Sequence, residues 1–241
     1  GHLGLDNFIL LHDSNDVTLD AMAEATQSES VMDRFAAYGF DVERIEDGHD
    51  LSAIASALGR ARSSDNGRPK FIEVKTIIGK GIPEVAGTPA GHGEGGAKFA
   101  AEARAAMGLP EETFYVSDDV RSYFAARKSE LAEKRTAWNQ RFEDWQAANP
   151  EKARLLASGL AREAPTDLMD RVQVFPGDAK LATRVAGSQI INDLAGALPL
   201  LVSGSADLHG STKNYLKEQG DFSRDNHSGR NLLFGIREHA M

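Results

Sequence analysis

Apolar positions follow two rhythms along this chain. Short unbroken runs of strand length alternate with stretches in which apolar residues recur every three or four positions. Phe8-Ile9-Leu10-Leu11 is the first run, closed by His12-Asp13-Ser14-Asn15-Asp16. Runs that are apolar throughout fit strands buried on both faces of a parallel sheet. Residues 30–38 have helical spacing, with Val31, Phe35 and Tyr38 on one face and Gly39 as the C-terminal cap. Phe40-Asp41-Val42-Glu43-Arg44-Ile45 alternates like a strand. Asp50 then caps a helix whose stripe is Leu51, Ile54, Leu58 and Ala61. A polar loop over 63–69 leads to a third strand at 71–78. The order β, α, β, α, β predicts right-handed crossovers and a parallel sheet.

After Ile78 the pattern dissolves into a glycine-rich stretch, 79–96, with seven glycines and two prolines. Loops of that length in compact domains are often functional. Residues 98–107 are expected to be helical. Residues 117–147 form a charged helical region with an apolar minority: Val120, Tyr123, Phe124, Leu131, Trp138, Phe142 and Trp145. From Pro150 to about Asp178 the pattern is irregular or weakly helical, broken by Pro165 and Pro176. A second α/β unit follows: a helix near 183–195, a strand at Leu198-Pro199-Leu200-Leu201-Val202, a polar loop to Ser211, and a closing strand at Leu232-Leu233-Phe234. That strand meets Gly235 and then Ile236-Arg237-Glu238-His239-Ala240-Met241. Such a strand-to-helix turn is where α/β sheets place ligands, and a carboxylate buried there is a usable proton partner.

Composition narrows the chemistry. The 241 residues carry a net charge of −9, which argues against nucleic acid as the main partner. No cysteine is present, so disulfides, zinc–thiolate sites and thiol catalysis are excluded. No stretch approaches 18 consecutive apolar residues, so no membrane partner is expected and the expected location is the cytoplasm. Both ends, at Gly1 and Met241, read as internal to a longer protein.

Each candidate residue has a plain reading beside the chemical one. Asn15, after a strand, is a hard oxygen ligand suited to Mg²⁺ or Ca²⁺, or it closes an Asx turn. Asp207 follows a strand, between Gly204 and Gly210, where a lone Asp is more often a turn or helix-capping residue. His92, in Ala90-Gly91-His92-Gly93-Glu94, can donate to an oxygen or simply be solvated. Arg184 opens a helix, where its fork suits a phosphate or where it is surface charge. Residues 91–96 match G-x-G-x-x-G by letter, but they do not directly follow their strand, so a dinucleotide site is a weak reading.

Taken together these stretches resemble one family. Gly235-Ile236-Arg237-Glu238-His239-Ala240-Met241 is very similar to the signature of transketolases. So are Gly204-Ser205-Ala206-Asp207-Leu208, and Thr76-Ile77-Ile78-Gly79 with His92 fourteen residues beyond Ile78. Gly1-His2-Leu3-Gly4-Leu5 followed by Asp13-Ser14-Asn15 resembles the segment that closes the family's thiamine-diphosphate motif. The segment 108–178 carries little of the signature.

The resemblance implies an α/β fold with parallel sheets flanked by helices, contributed by parts of two successive domains. Residues 1–148 would be the C-terminal part of a pyrophosphate-binding domain with a helical end. Residues 149–178 would be a linker, and 179–241 the N-terminal part of a pyrimidine-binding domain. The implied activity is transfer of a two-carbon ketol unit from a ketose phosphate to an aldose phosphate, in the pentose phosphate pathway. The implied cofactors are thiamine diphosphate and Mg²⁺ (or Ca²⁺ or Mn²⁺), and the implied assembly is a homodimer with active sites at the subunit interface.

Carried over by position, Asn15 and the Val17 carbonyl would ligate the metal. Leu19 and Ile78 would pack near the thiazolium, and Asp207 would lie at the cofactor. Arg184 and Ser211 would hold the sugar phosphate, and His92 the donor's oxygens near the reacting carbon. Glu238 would bond the pyrimidine N1′, favouring the tautomer whose 4′ nitrogen takes the thiazolium C2 proton. Pro89 stands where many relatives have a second His, and 93–96 read Gly-Glu-Gly-Gly where many have Gly-Ala-Pro; both bear on sugar preference. The alternatives are a dihydroxyacetone synthase-like ketol transferase and a non-catalytic transketolase-like subunit. The presence of Asn15, Asp207 and Glu238 together speaks against the second. The 241-residue piece alone is expected to be inactive.

Overall fold

Residue alternation on one central strand organises the first half of the molecule. The computed structural model describes residues 1–93 and 98–240. It divides into two compact units, Gly1–Ser117 and Asp118–Met241. In the first, β1 (Ile9–Ser14), β2 (Asp41–Ile45) and β3 (Lys70–Lys75) form a parallel sheet in the order β1-β3-β2. Successive side chains of β3 point to opposite faces. Ile72 and Val74 meet Ile45 and helix α2 (Leu51–Ser63) through Ala57 and Ala61, with Ile54 and Leu58 packed around them. Phe71, on the other face, stacks on Phe35 of helix α1 (Val31–Ala37) with ring centroids 4.1 Å apart.

Asp50 caps its helix as expected, and Ser30, read as part of the helical stretch 30–38, instead caps α1. Ser30 accepts from Asp33 N–H at 3.2 Å, and Asp50 accepts from Ser52 and Ala53 at 2.8 and 3.1 Å. Several expectations shift. β1 begins at Ile9 and continues through His12, Asp13 and Ser14, because those residues are in register with β3 up to Lys75. It is not buried on both faces: as an outer strand of the described sheet it leaves Phe8 45% and Leu11 49% exposed. In α2 the stripe runs through Ala57, while Leu51 is 79% exposed on the first turn. Tyr38 closes α1 and faces solvent instead of sharing its inner side. β3 stops at Lys75, so Thr76, Ile77 and Ile78 lie beyond the ladder. A short helix, α3 (Ala100–Ala106), ends the unit's regular structure.

The second unit opens with α4 (Asp118–Ala148), a 31-residue helix on which Trp138, Phe142 and Trp145 stack in series. α5 (Pro150–Ala161) follows, so the segment 149–178 is more regular than its prolines predicted. Pro150 occupies the first helical turn, where its missing N–H costs nothing. After a 3-10 turn at Leu168–Arg171 come α6 (Thr183–Ala197), β4 (Ser203–Ser205), α7 (His209–Thr212) and β5 (Asn231–Leu233). β4 and β5 pair in parallel.

The strand expected at 198–202 is displaced into the polar residues after it. Arg230 is the cause. Its guanidinium donates to the carbonyls of Ala195, Leu198 and Leu201, holding the end of α6 and the following turn. Of the three, only Ala195 is in the last turn of α6, where carbonyls lack an intrahelical partner; Leu198 also accepts from Leu201 N–H at 3.0 Å, so 198–201 makes a turn after the helix instead of a strand. The ladder starts only where Ser203 N–H reaches the Arg230 carbonyl at 2.9 Å.

Candidate functional site

Most of the sequence-derived site residues stand beyond the carboxyl ends of strands. In the first unit, β1 and β3 end side by side. Thr76 N–H donates to the Ser14 carbonyl at 3.2 Å, and the Thr76 hydroxyl donates to the Asp13 carboxylate. Lys75 donates to Ser14 Oγ at 3.2 Å and to Asp16 Oδ1 at 2.5 Å. The chain then reverses: Asp16 adopts a φ of 61°, and its carbonyl accepts from Ala23 N–H at 2.8 Å. Inside this turn Asn15 Oδ1 accepts from Val17 N–H at 3.1 Å. Thus Asn15 does make the Asx turn, and the same oxygen accepts no second hydrogen bond among the described residues. The Val17 carbonyl accepts no hydrogen bond among the described residues. Leu19, at the tip of the turn, is exposed.

Ile78 is half-buried just past β3. The glycine-rich loop folds back on it: Gly87 N–H donates to the Ile78 carbonyl at 2.9 Å. A Cβ on Gly91 would come 3.3 Å from Ile78 Cγ2. His92 follows at once, half-buried, with Nδ1 3.0 Å from the Pro89 carbonyl. Since that carbonyl only accepts, Nδ1 carries the proton in this contact and Nε2 is left for another group. The loop therefore places His92 next to Ile78. The Gly-Glu-Gly-Gly departure and the G-x-G-x-x-G match include 94–96, outside the described residues.

In the second unit, Asp207 and Glu238 follow the adjacent ends of β4 and β5. Ser205 Oγ accepts from Leu208 N–H at 2.9 Å, and Phe234 N–H donates to the Ser205 carbonyl at 3.1 Å. Asp207 sits between them at a φ of 60° and is exposed. Gly235 turns the chain at a φ of 66°, and Glu238 opens a 3-10 turn, Glu238–Ala240. Glu238, expected to be buried, has an exposed side chain within this chain. Ser211 lies on α7 and Arg184 in the first turn of α6, both exposed. Neither side chain forms a hydrogen bond among the described residues. Met241, the last letter of the signature, lies outside them.

Three polar features escaped the sequence reading. His49 Nε2 accepts from Ile77 N–H at 3.2 Å. His209 bridges Asn214 Oδ1 at 3.0 Å and the Leu232 carbonyl at 3.3 Å, tying α7 to β5. Glu73 is buried between His12 and Arg44. The Asp47-Gly48-His49-Asp50 turn was a visible signal for the first; the other two depend on strand register.

The family model described as "Transketolase, thiamine diphosphate binding domain" matches residues 1–165. The chain belongs to the transketolase family. It is 51% identical over 241 residues to a transketolase of Physarum polycephalum, and 39% identical over 246 residues to one of Bacillus subtilis. Each match covers all of this chain and 36% of the relative. The chain thus spans little more than a third of the length of the curated relatives it matches. Among solved structures, a Pichia stipitis transketolase in complex with sedoheptulose-7-phosphate matches with a TM-score of 0.89 and 30% identity, over 100% of this chain and 37% of that one. A Campylobacter jejuni transketolase matches with a TM-score of 0.80 and 34% identity, over 99% of this chain and 35% of that one. The parallel sheets flanked by helices are those of the family.

Proposed function

We propose that the protein is a transketolase, transferring a two-carbon ketol unit from a ketose phosphate to an aldose phosphate. The observation that carries this reading is identity to transketolases along the whole chain, with the polar residues of the family signature standing beyond the strand ends. Thiamine diphosphate, when bound, supplies the nucleophilic carbon and the electron sink for the carbon–carbon cleavage.

The donor set supports a metal-bound diphosphate. Asn15 Oδ1 accepts no second hydrogen bond beyond that from Val17 N–H, and the Val17 carbonyl is free, among the described residues. Two neutral oxygens held in one turn suit Mg²⁺, Ca²⁺ or Mn²⁺, whose remaining sites take phosphate and water oxygens. Ile78 and Leu19 offer apolar surface to the thiazolium, and Asp207 lies at the cofactor. Glu238 holds or gives a proton at the pyrimidine N1′. His92 presents Nε2 to the donor's oxygens, while Arg184 and Ser211 take the sugar phosphate through charge-assisted bonds.

In this reading, residues 1–148 belong to the pyrophosphate-binding domain, 149–178 to the connection and 179–241 to the pyrimidine-binding domain. The protein works as a cytoplasmic homodimer, in the pentose phosphate pathway, with each site shared between subunits. Calorimetric titration of the full-length protein with thiamine diphosphate and Mg²⁺, then a ketose-phosphate donor assay, tests the proposal. Saturable, metal-dependent binding with ketol transfer is expected. Absence of either overturns it.

A further inference from the structure

Past Lys75 the third strand has no ladder to hold it, yet Ile77 and Ile78 must keep one conformation if Ile78 is to face a cofactor. Two neighbouring strands supply the restraint. From the β1 side, Ser14 and Asp13 hold Thr76. From the β2 side comes the loop between β2 and α2, and its contact is the imidazole of His49, whose Nε2 accepts from Ile77 N–H at 3.2 Å.

That loop is itself fixed at several points. Asp47 Oδ1 accepts from His49 N–H at 2.9 Å, and Asp50 is locked as the cap of α2. Gly48 N–H donates to the Lys75 carbonyl at 2.7 Å. A Cβ at Gly48 would lie 2.6 Å from Val74 Cγ1 and 2.7 Å from both the Lys75 carbonyl oxygen and Thr76 Cγ2. Glycine is therefore required here by close approach, and that approach sets the ring of the next residue beside the strand end. An amide N–H only donates, so Nε2 must carry a lone pair, with the ring proton on Nδ1.

We propose that His49 is a positioning residue for the cofactor site: through Ile77 N–H it fixes the backbone that presents Ile78 to the thiazolium. The role rests on the proposed assignment of Ile78 as a cofactor contact. It is a hydrogen-bond acceptor's role, so the amide side chain of glutamine, whose Oε1 reaches about as far as Nε2, can fill it, and an aliphatic side chain cannot.

The test uses the full-length protein as wild type, His49→Leu and His49→Gln. Hydrogen exchange across residues 76–80 is read without cofactor, and thiamine diphosphate affinity is read by calorimetry with Mg²⁺. In His49→Leu, exchange at 76–80 is expected to rise about three- to tenfold and affinity to fall by a similar factor, the scale of one lost neutral hydrogen bond. Exchange within β3 and kcat at saturating cofactor stay within about twofold, since no reacting atom is touched. His49→Gln is expected to restore both readouts. Unchanged exchange at 76–80 in His49→Leu overturns the proposal, as does a His49→Gln variant that behaves like His49→Leu. Wild-type protein that binds no thiamine diphosphate overturns the proposed function and the cofactor role with it, while exchange at 76–80 still reads the clamp alone.

Discussion

Glu73 and Arg44 stand opposite each other on β3 and β2, with carboxylate and guanidinium 3.5 Å apart. On the other side of Glu73, also in register, His12 Nδ1 lies 3.8 Å from Oε1. Glu73 is 8% exposed, while Arg44 reaches toward solvent and also pairs with Glu46. A cavity of about 540 Å³ opens beside this row. A carboxylate this deep needs its partner, because removing one member of a buried pair leaves an uncompensated charge. Arg44→Met is expected to destabilise the protein by about 1–3 kcal/mol, less than for a fully buried pair because Arg44 is half-exposed. The double variant Arg44→Met/Glu73→Met should be closer to wild type than Arg44→Met alone. Urea unfolding of wild type, Arg44→Met, Glu73→Met and the double variant measures this; additive losses would show that the two side chains do not act as a pair.

Asn231 is 0% exposed and spends its side chain entirely on one loop. Oδ1 accepts from Leu216 N–H at 2.8 Å, and Nδ2 donates to the Leu216 carbonyl at 2.8 Å and the Gly220 carbonyl at 3.0 Å. These bonds pin the loop between α7 and β5, whose Leu216 is also fully buried. Asn231→Leu would leave one amide and two carbonyls without this partner at a buried position. The expected loss is about 2–4 kcal/mol, given roughly 1–3 kcal/mol for each buried group left unsatisfied. Denaturant unfolding checks it, and a loss below about 1 kcal/mol would count against the pinning role.

Glu130 on α4 is held below the ordinary carboxylate range, first by its hydrogen bond to Lys134 and then by that to Arg127. A carboxyl depressed on folding contributes stability above its unfolded value, and that contribution is lost as pH falls through the folded value. Protection of α4 amides should therefore drop on acidification below the ordinary carboxylate range, and Glu130→Gln should remove this part of the pH dependence. The pair is on the surface, so the effect should shrink with added salt. A salt-independent profile identical in the variant would refute it.

How far the sequence carries depends on which force sets each element. Where local chemistry decides, the reading holds: Asp50 caps its helix, and 118–148 is one long helix. The polar end of β1 and the displaced β4 are tertiary outcomes. His12 and Ser14 join the sheet because β3 offers them a ladder, and 198–201 leaves it because Arg230, some thirty positions on, holds those carbonyls. Site residues were legible as letters of a family signature, and their attachment to strand ends followed from the apolar runs. Their burial was not legible. Glu238 was expected inside because it follows a strand, but burial belongs to whatever packs over a strand end, which the strand itself does not encode. His49 went unnoticed because its partner is a backbone amide twenty-eight positions away, and backbone groups leave no mark in composition.

Glu238 also allows chemistry to be separated from structure. Its side chain is exposed at the start of the 3-10 turn, so it supports no packing within this chain. Glu238→Gln keeps size and shape while removing the proton that a carboxyl exchanges with the pyrimidine N1′. If the proposed function holds, turnover in the full-length protein should fall by about 10²–10⁴-fold, the usual weight of a positioned acid–base group. Stability without cofactor should change far less than activity, because the amide keeps the carboxyl's size and shape. Glu238→Ala should lose at least as much activity. The ketose-phosphate donor assay and a thermal unfolding scan on the same preparations measure the two quantities. Turnover near wild type in Glu238→Gln would remove Glu238 from the chemistry. Lost activity accompanied by a large loss of stability would show that its role is to hold the turn.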